Sequence, residues 1–194
     1  MGRIFCLLGK SAVGKDTMFK QIIRDPSIDI APIILYTTRP KRSSEVDGID
    51  YHFVSEQVMN SLEREDKIIE KRQYATIHGI WYYFTTKFDI PDGRHFMTIT
   101  TPGGYRKLAE KIGKEKMVLV HLKADDRTRL ERSILRESRQ KQPNYAEVCR
   151  RYLADEQDFE NADFSDFTLF EIDANSEAIC CLNQFKGFFE GLGH

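Results

Sequence analysis

The sequence predicts an α/β fold, a three-layer core around a parallel sheet, on three observations. The apolar run Ile4 to Leu8 stops at Gly9 and passes through a second glycine, Gly14, into an amphipathic segment, Met18 to Ile23. Such a run suits a strand buried on both faces, and the whole stretch reads strand, glycine loop, helix. Strand and helix patterns then alternate along the rest of the chain, which implies parallel pairing with right-handed crossovers. The length, 194 residues, fits one compact domain with a substantial apolar interior.

Taken in order, Ile30 to Tyr36 is a second strand candidate and Tyr51 to Val54 a short one. Ser55 to Arg64 has a helical pattern whose Ser-x-x-Val start falls short of a full capping box. Lys67 to Thr86 carries aromatics at Tyr74, Trp81, Tyr82, Tyr83 and Phe84, and reads as strands joined by a turn at His78-Gly79. Phe96 to Thr101 and Met117 to Leu122 are further core strands, each followed by a helix starting near Pro102 or Asp125. Asn144 to Phe159 is predicted helical, Phe167 to Ile172 is the last strand, and Ser176 to Phe189 is the closing helix.

Lys and Arg number 29 against 30 Asp and Glu, so no global field favours nucleic acid or membrane as a partner. Any anion site has to be built locally. Cys6, Cys149, Cys180 and Cys181 lack metal-ligand spacing and suit reduced thiols, which points to the cytoplasm. No apolar run approaches a membrane span, and the N-terminus lacks the layout of a signal peptide.

The stretch GKSAVGKDT, Gly9 to Thr17, fits Gly-x-x-x-x-Gly-Lys in the strand-to-helix context that the motif needs. Backbone amides of Ser11, Ala12, Val13 and Gly14 can turn toward phosphates, the helix N-terminus adds partial positive charge, and Lys15 can bridge the terminal phosphates. Asp16 stands where a hydroxyl is usual. Two readings stay open for it: a magnesium ligand, helped by the Thr17 hydroxyl, or a carboxylate that favours the first helical turn. The segment from Tyr36 to Ser55 sets Arg39 and Arg42 three apart, followed by Glu45 and Tyr51. Two guanidiniums and a phenol make a monophosphate clamp.

Gly9 to Lys15, then Thr37-Thr38-Arg39-Pro40-x-Arg42, then Glu45-Val46-Asp47-Gly48-x-Asp50-Tyr51-x-Phe53-Val54-Ser55 resemble the guanylate kinase family over most of the chain. The resemblance implies a P-loop core (1–34, 89–131 and 149–194), an inserted nucleotide-monophosphate-binding region (35–88) and a small helical lid (132–148). It implies ATP with Mg²⁺ as donor and GMP as acceptor. By the same resemblance Arg39, Arg42, Tyr51 and Tyr83 hold the acceptor phosphate, while Glu70, Thr85 and Thr100 lie at base-reading positions. The arginine-rich run from Arg129 to Tyr152 reads as helix, basic turn, helix. It is similar to the lid, with Arg136, Arg139 and Arg151 as cations for the transferring group.

Several positions depart from the family pattern. Leu35 replaces a base-reading serine, Thr98 and Thr100 replace two strand acids, and Phe84 replaces a glycine. The loss at Thr98 suggests that metal-site charge has been relocated to Asp16. Three functions therefore stand: a GMP kinase, a kinase of the same mechanism for another phosphorylated acceptor, and a noncatalytic phosphopeptide-binding module.

Overall fold

The computed structural model describes residues 2–42, 45–76, 79–91 and 93–192. Its main sheet has five strands in the order β2-β7-β1-β8-β9, all paired in parallel: β1 Ile4–Leu8, β2 Ile30–Pro32, β7 His95–Ile99, β8 Met117–Lys123 and β9 Thr168–Asp173. The central strand β1 is buried along its full length. Its period-two alternation divides the core. Phe5 and Leu7 join Met18, Ile22 and Phe185 from helices α1 (Lys15–Arg24) and α6 (Ala178–Gly191) on one face. Ile4, Cys6 and Leu8 join Tyr105 and Leu108 of α3 (Pro102–Ile112) on the other. These are the three layers that the alternating pattern predicts.

A second sheet, ordered β4-β3-β6-β5, is assembled from β3 Tyr36–Thr37, β4 His52–Phe53, β5 Ile68–Thr76 and β6 Gly79–Thr86. The run Ile30 to Tyr36, read as one strand, is split between the two sheets, because β2 ends at Pro32 and β3 begins at Tyr36. Pro32 lacks the N–H that a continuing ladder requires. Helix α2, Glu56–Arg64, is capped by the Ser55 hydroxyl, which accepts from the Val58 amide. The β5–β6 hairpin is antiparallel and places Thr76 opposite Gly79; His78, read as part of its turn, lies outside the described residues. Phe84, where a glycine was expected, is fully buried and stacks on Tyr36 at 5.1 Å, so it packs the small sheet.

Helices α4 (Asp126–Ser138) and α5 (Tyr145–Glu160) form the arginine-rich hairpin. Arg129, fully buried, ties them together: its Nη2 donates to Asp126 at 2.6 Å and to Glu156 at 2.7 Å, and its guanidinium lies 4.8 Å from the Tyr152 ring centroid. Removing a buried guanidinium forfeits both its ion pairs and its packing. Arg129→Ala should lower the unfolding free energy by about 2 kcal/mol, measured by urea denaturation.

Candidate active site

β1 delivers its backbone to Gly9, where a side chain is impossible: a Cβ would meet the Leu122 carbonyl oxygen at 2.5 Å, and φ is +151°. Val13 anchors the loop by burying its side chain in the core. Gly14, at φ +105°, then turns the chain into α1 with open space around it. Ala12, Val13 and Gly14 thus offer backbone rather than side chains. The Lys15 ammonium donates to the carbonyls of Gly9 and Lys10 at 2.6 and 3.0 Å. Burial lowers its pKa to about 8, opposed by the nearby carboxylates of Asp16 and Asp155.

Asp16 lies in the first turn of α1 but makes no capping bond, since the N-cap is Gly14 without a side-chain acceptor. Its side chain lines a cleft of about 460 Å³ together with Gly9, Ser11 and Lys15. Thr17, the next residue round the helix, is exposed and is not on the cleft wall, so the structure does not bring it to the metal position expected for it. Among the described residues no group of three or more His, Cys, Asp or Glu could hold a metal ion. One carboxylate beside phosphate-binding amides nevertheless fits magnesium, which keeps several waters and takes substrate phosphate oxygens as ligands.

The same cleft is lined by Arg39, Arg42, Glu45, Tyr51 and Tyr83. The two arginines are not equivalent. Arg39 is buried; its Nη1 and Nη2 donate to the two Glu45 oxygens at 3.0 and 2.7 Å, its Nε donates to the Tyr83 hydroxyl at 3.1 Å, and its Nη1 also donates to the Pro40 carbonyl. The guanidinium is also 5.5 Å from the ring centroids of Tyr51 and Phe53. Four of its five N–H groups are therefore engaged, and Arg42, with a side chain 62% exposed, is the freer one. Burial works to raise the Glu45 carboxyl, but Arg39 and the Arg42 amide hold it below the usual range. Glu45 sets the clamp in place rather than meeting an anion itself.

From the hairpin, Arg136 and Arg151 reach the same cleft. The Arg151 guanidinium lies 3.4 Å from the Ser11 hydroxyl, and burial with repulsion from Arg151 and Arg42 lowers the Arg136 pKa. Arg139 is different. It is the exposed C-cap residue of α4, where the chain leaves the helix, and it is absent from the cleft wall.

Two of the three residues expected to read the base do not line the cleft. Glu70 and Thr85 face each other across β5 and β6, but both are buried and neither lines the cleft. Arg72 lies in between. Its Nη2 pairs with Glu70 Oε1 at 3.0 Å, and the guanidinium forms part of the cleft wall with Tyr74, Trp81, Thr100 and Thr101. Thr98 is likewise away from the metal position. It pairs in register with Cys6, which faces α3, and its hydroxyl is buried without a hydrogen-bond partner. A carboxylate moved from Thr98 to Asp16 would therefore have changed pockets, so the two positions are not equivalent. Leu35 and Thr100 do line the cleft.

Sequence reasoning missed Arg72, Tyr74 and Asp155. The first two share the face of Glu70 by strand alternation, a signal present in the sequence. Asp155 gave none: its carboxylate accepts from the Ser11 amide at 2.6 Å across 144 residues.

A family model described as Guanylate kinase matches residues 1–169. The chain belongs to the guanylate kinase family. A solved guanylate kinase from Anaplasma phagocytophilum superposes with a TM-score of 0.66 at 16% identity, covering 98% of this chain and 86% of that one. At that identity the likeness speaks to the fold. Membership supports kinase activity and nucleotide binding as the coarse function. No helix among the described residues is long and apolar enough to cross a membrane.

If the Lys15 ammonium grips phosphate, raising the pH through about 8 should remove that charge and weaken ATP binding. Titrations should show about a tenfold loss between about pH 7 and about pH 9, whereas Lys15→Arg, which stays protonated, should give a flat profile at lower affinity.

Proposed function

We propose that this chain is an ATP-dependent nucleoside monophosphate kinase that transfers the γ-phosphoryl group to a monophosphate acceptor. One observation carries the reading: Lys15 with its glycine loop, and Arg39, Arg42, Tyr51 and Tyr83, line one cleft together with Arg136 and Arg151 of the hairpin. In this reading residues 35–88 bind the acceptor, 132–148 act as the lid, and 1–34, 89–131 and 149–194 form the core. The unpaired cysteines suit a reducing compartment, and we place the enzyme in the cytoplasm.

Phosphoryl transfer asks the protein for positioning and charge rather than covalent chemistry. The loop amides and Lys15 hold the donor phosphates, while Arg42 and the phenols hold the acceptor phosphate in line with them. Arg136 and Arg151 neutralise the charge that spreads over the transferring group and help exclude water. Asp16 would hold a magnesium ion here, and the ion would supply positive charge that offsets that of the donor phosphates.

GMP is the acceptor implied by the family. A second reading keeps the mechanism and changes the acceptor, and the covering of Glu70 by Arg72 favours it. A phosphopeptide-binding module would leave the Lys15 loop without a role.

ADP formation with ATP, magnesium and a panel of GMP, dGMP, IMP, xanthosine monophosphate, AMP, CMP and UMP tests the proposal; no turnover with any member would refute it. Arg151→Ala should lower kcat by about 100-fold with the fold intact by circular dichroism.

A further inference from the structure

In the acceptor half of the cleft, a carboxylate suited to guanine is shut behind a guanidinium. Reading the N1–H and exocyclic amine of guanine takes both oxygens of a carboxylate that the base can reach. Here the Glu70 side chain has no exposed surface. Its Oε1 accepts from Arg72 and is 3.5 Å from the Thr85 hydroxyl, and its Oε2 is buried without a hydrogen-bond partner. For guanine to meet Glu70, Arg72 would have to leave a buried ion pair, which is costly.

Arg72 is built into this position. Its Nη1 is 3.4 Å from the Thr101 hydroxyl, which also bonds the side chain of Tyr74. The first turn of α3 makes room for it: a Cβ at Gly104 would stand 3.2 Å from the Arg72 Cδ and Nε and 2.5 Å from the Thr100 hydroxyl. The ion pair and the Thr101 contact engage one N–H on each terminal nitrogen and Nε is buried, so one N–H on each of Nη1 and Nη2 remains where a base-reading acceptor was expected. Leu35, a further base-reading position, contributes no polar atom to the wall.

We propose that Arg72 meets the far end of the acceptor, so that the pocket selects a monophosphate presenting hydrogen-bond acceptors there, best met by a 6-oxopurine with oxygen rather than an amine at carbon 2. Such a base loses a ring proton near neutrality, and its anion is attracted by a guanidinium and repelled by an open carboxylate. Glu70 becomes the residue that positions Arg72. The inference rests on the kinase reading for the seat of the phosphate, and it deepens that reading by naming the specificity-determining residue.

Calorimetric binding of xanthosine, inosine and guanosine monophosphates to the full chain tests it. The wild type should bind xanthosine monophosphate at least as tightly as GMP. Arg72→Ala, which uncovers Glu70, should swing the ratio toward GMP by about tenfold or more. Gly104→Ala, which crowds Arg72 without removing its charge, should swing it the same way by less and serves if the first variant does not fold. Tighter binding of GMP than of xanthosine monophosphate by wild type, an equal loss for all three ligands in Arg72→Ala, or no binding of any would overturn the proposal. Binding in the expected order without phosphoryl transfer would refute the kinase reading alone, and exclusive use of GMP would refute this inference alone.

Discussion

Cationic side chains from five parts of the chain converge on one cleft, and their mutual repulsion is the constraint that the neighbouring carboxylates answer. Lys15 comes from the start of α1, Arg39 and Arg42 from the segment after β3, Arg72 from β5, and Arg136 and Arg151 from the two hairpin helices. Carboxylates lie within reach: Asp16 and Asp155 by Lys15, Glu45 by Arg39 and Arg42, Glu70 by Arg72, and Asp16 and Glu137 by Arg136. Without anions at hand such a set would push apart; with them the cleft is preorganised for phosphoryl groups while several cations stay only partly neutralised.

The division of labour between Arg39 and Arg42 follows from the same balance. A guanidinium with four bonds made is fixed in space and contributes direction, and a solvated one contributes reach. Arg39 and Arg42 divide these roles, and Glu45 connects them, since it takes two bonds from Arg39 and one from the Arg42 amide. On the donor side Asp155 does comparable work at longer range, holding α5 against the loop through the Ser11 amide. The buried Arg129 pairs with Glu156 on the adjacent position of the same helix, so the hairpin that carries Arg151 is tied both to the loop and to α4.

Glu70 Oε2, Arg72 Nε, Thr98 Oγ1 and the Tyr105 hydroxyl are buried and lack a hydrogen-bond partner. Unsatisfied buried groups are costly. Burial raises the Glu70 carboxyl while Arg72 opposes that shift, the balance expected of an acid covered by its own counter-ion.

Local patterns determined most of the architecture. An apolar pentad ending in glycine, period-two strands and period-3.6 helices are consequences of nearest-neighbour chemistry, so the parallel sheet and the glycine loop were legible before any coordinates. The helical hairpin also followed from the pattern. What needed the tertiary structure was which polar side chains face the cleft. Strand alternation puts Glu70, Arg72 and Tyr74 on one face but says nothing of how deep each lies; the docking of β5 against α3, permitted by the bare backbone at Gly104, sank Glu70 and left Arg72 at the wall. Arg139 and Thr17 failed for a related reason, because a helix's exit and a single step of rotation decide where a side chain points. Asp155 meets Ser11 through the folding of the whole chain, and a contact between residues so far apart is set by packing, which no local pattern encodes.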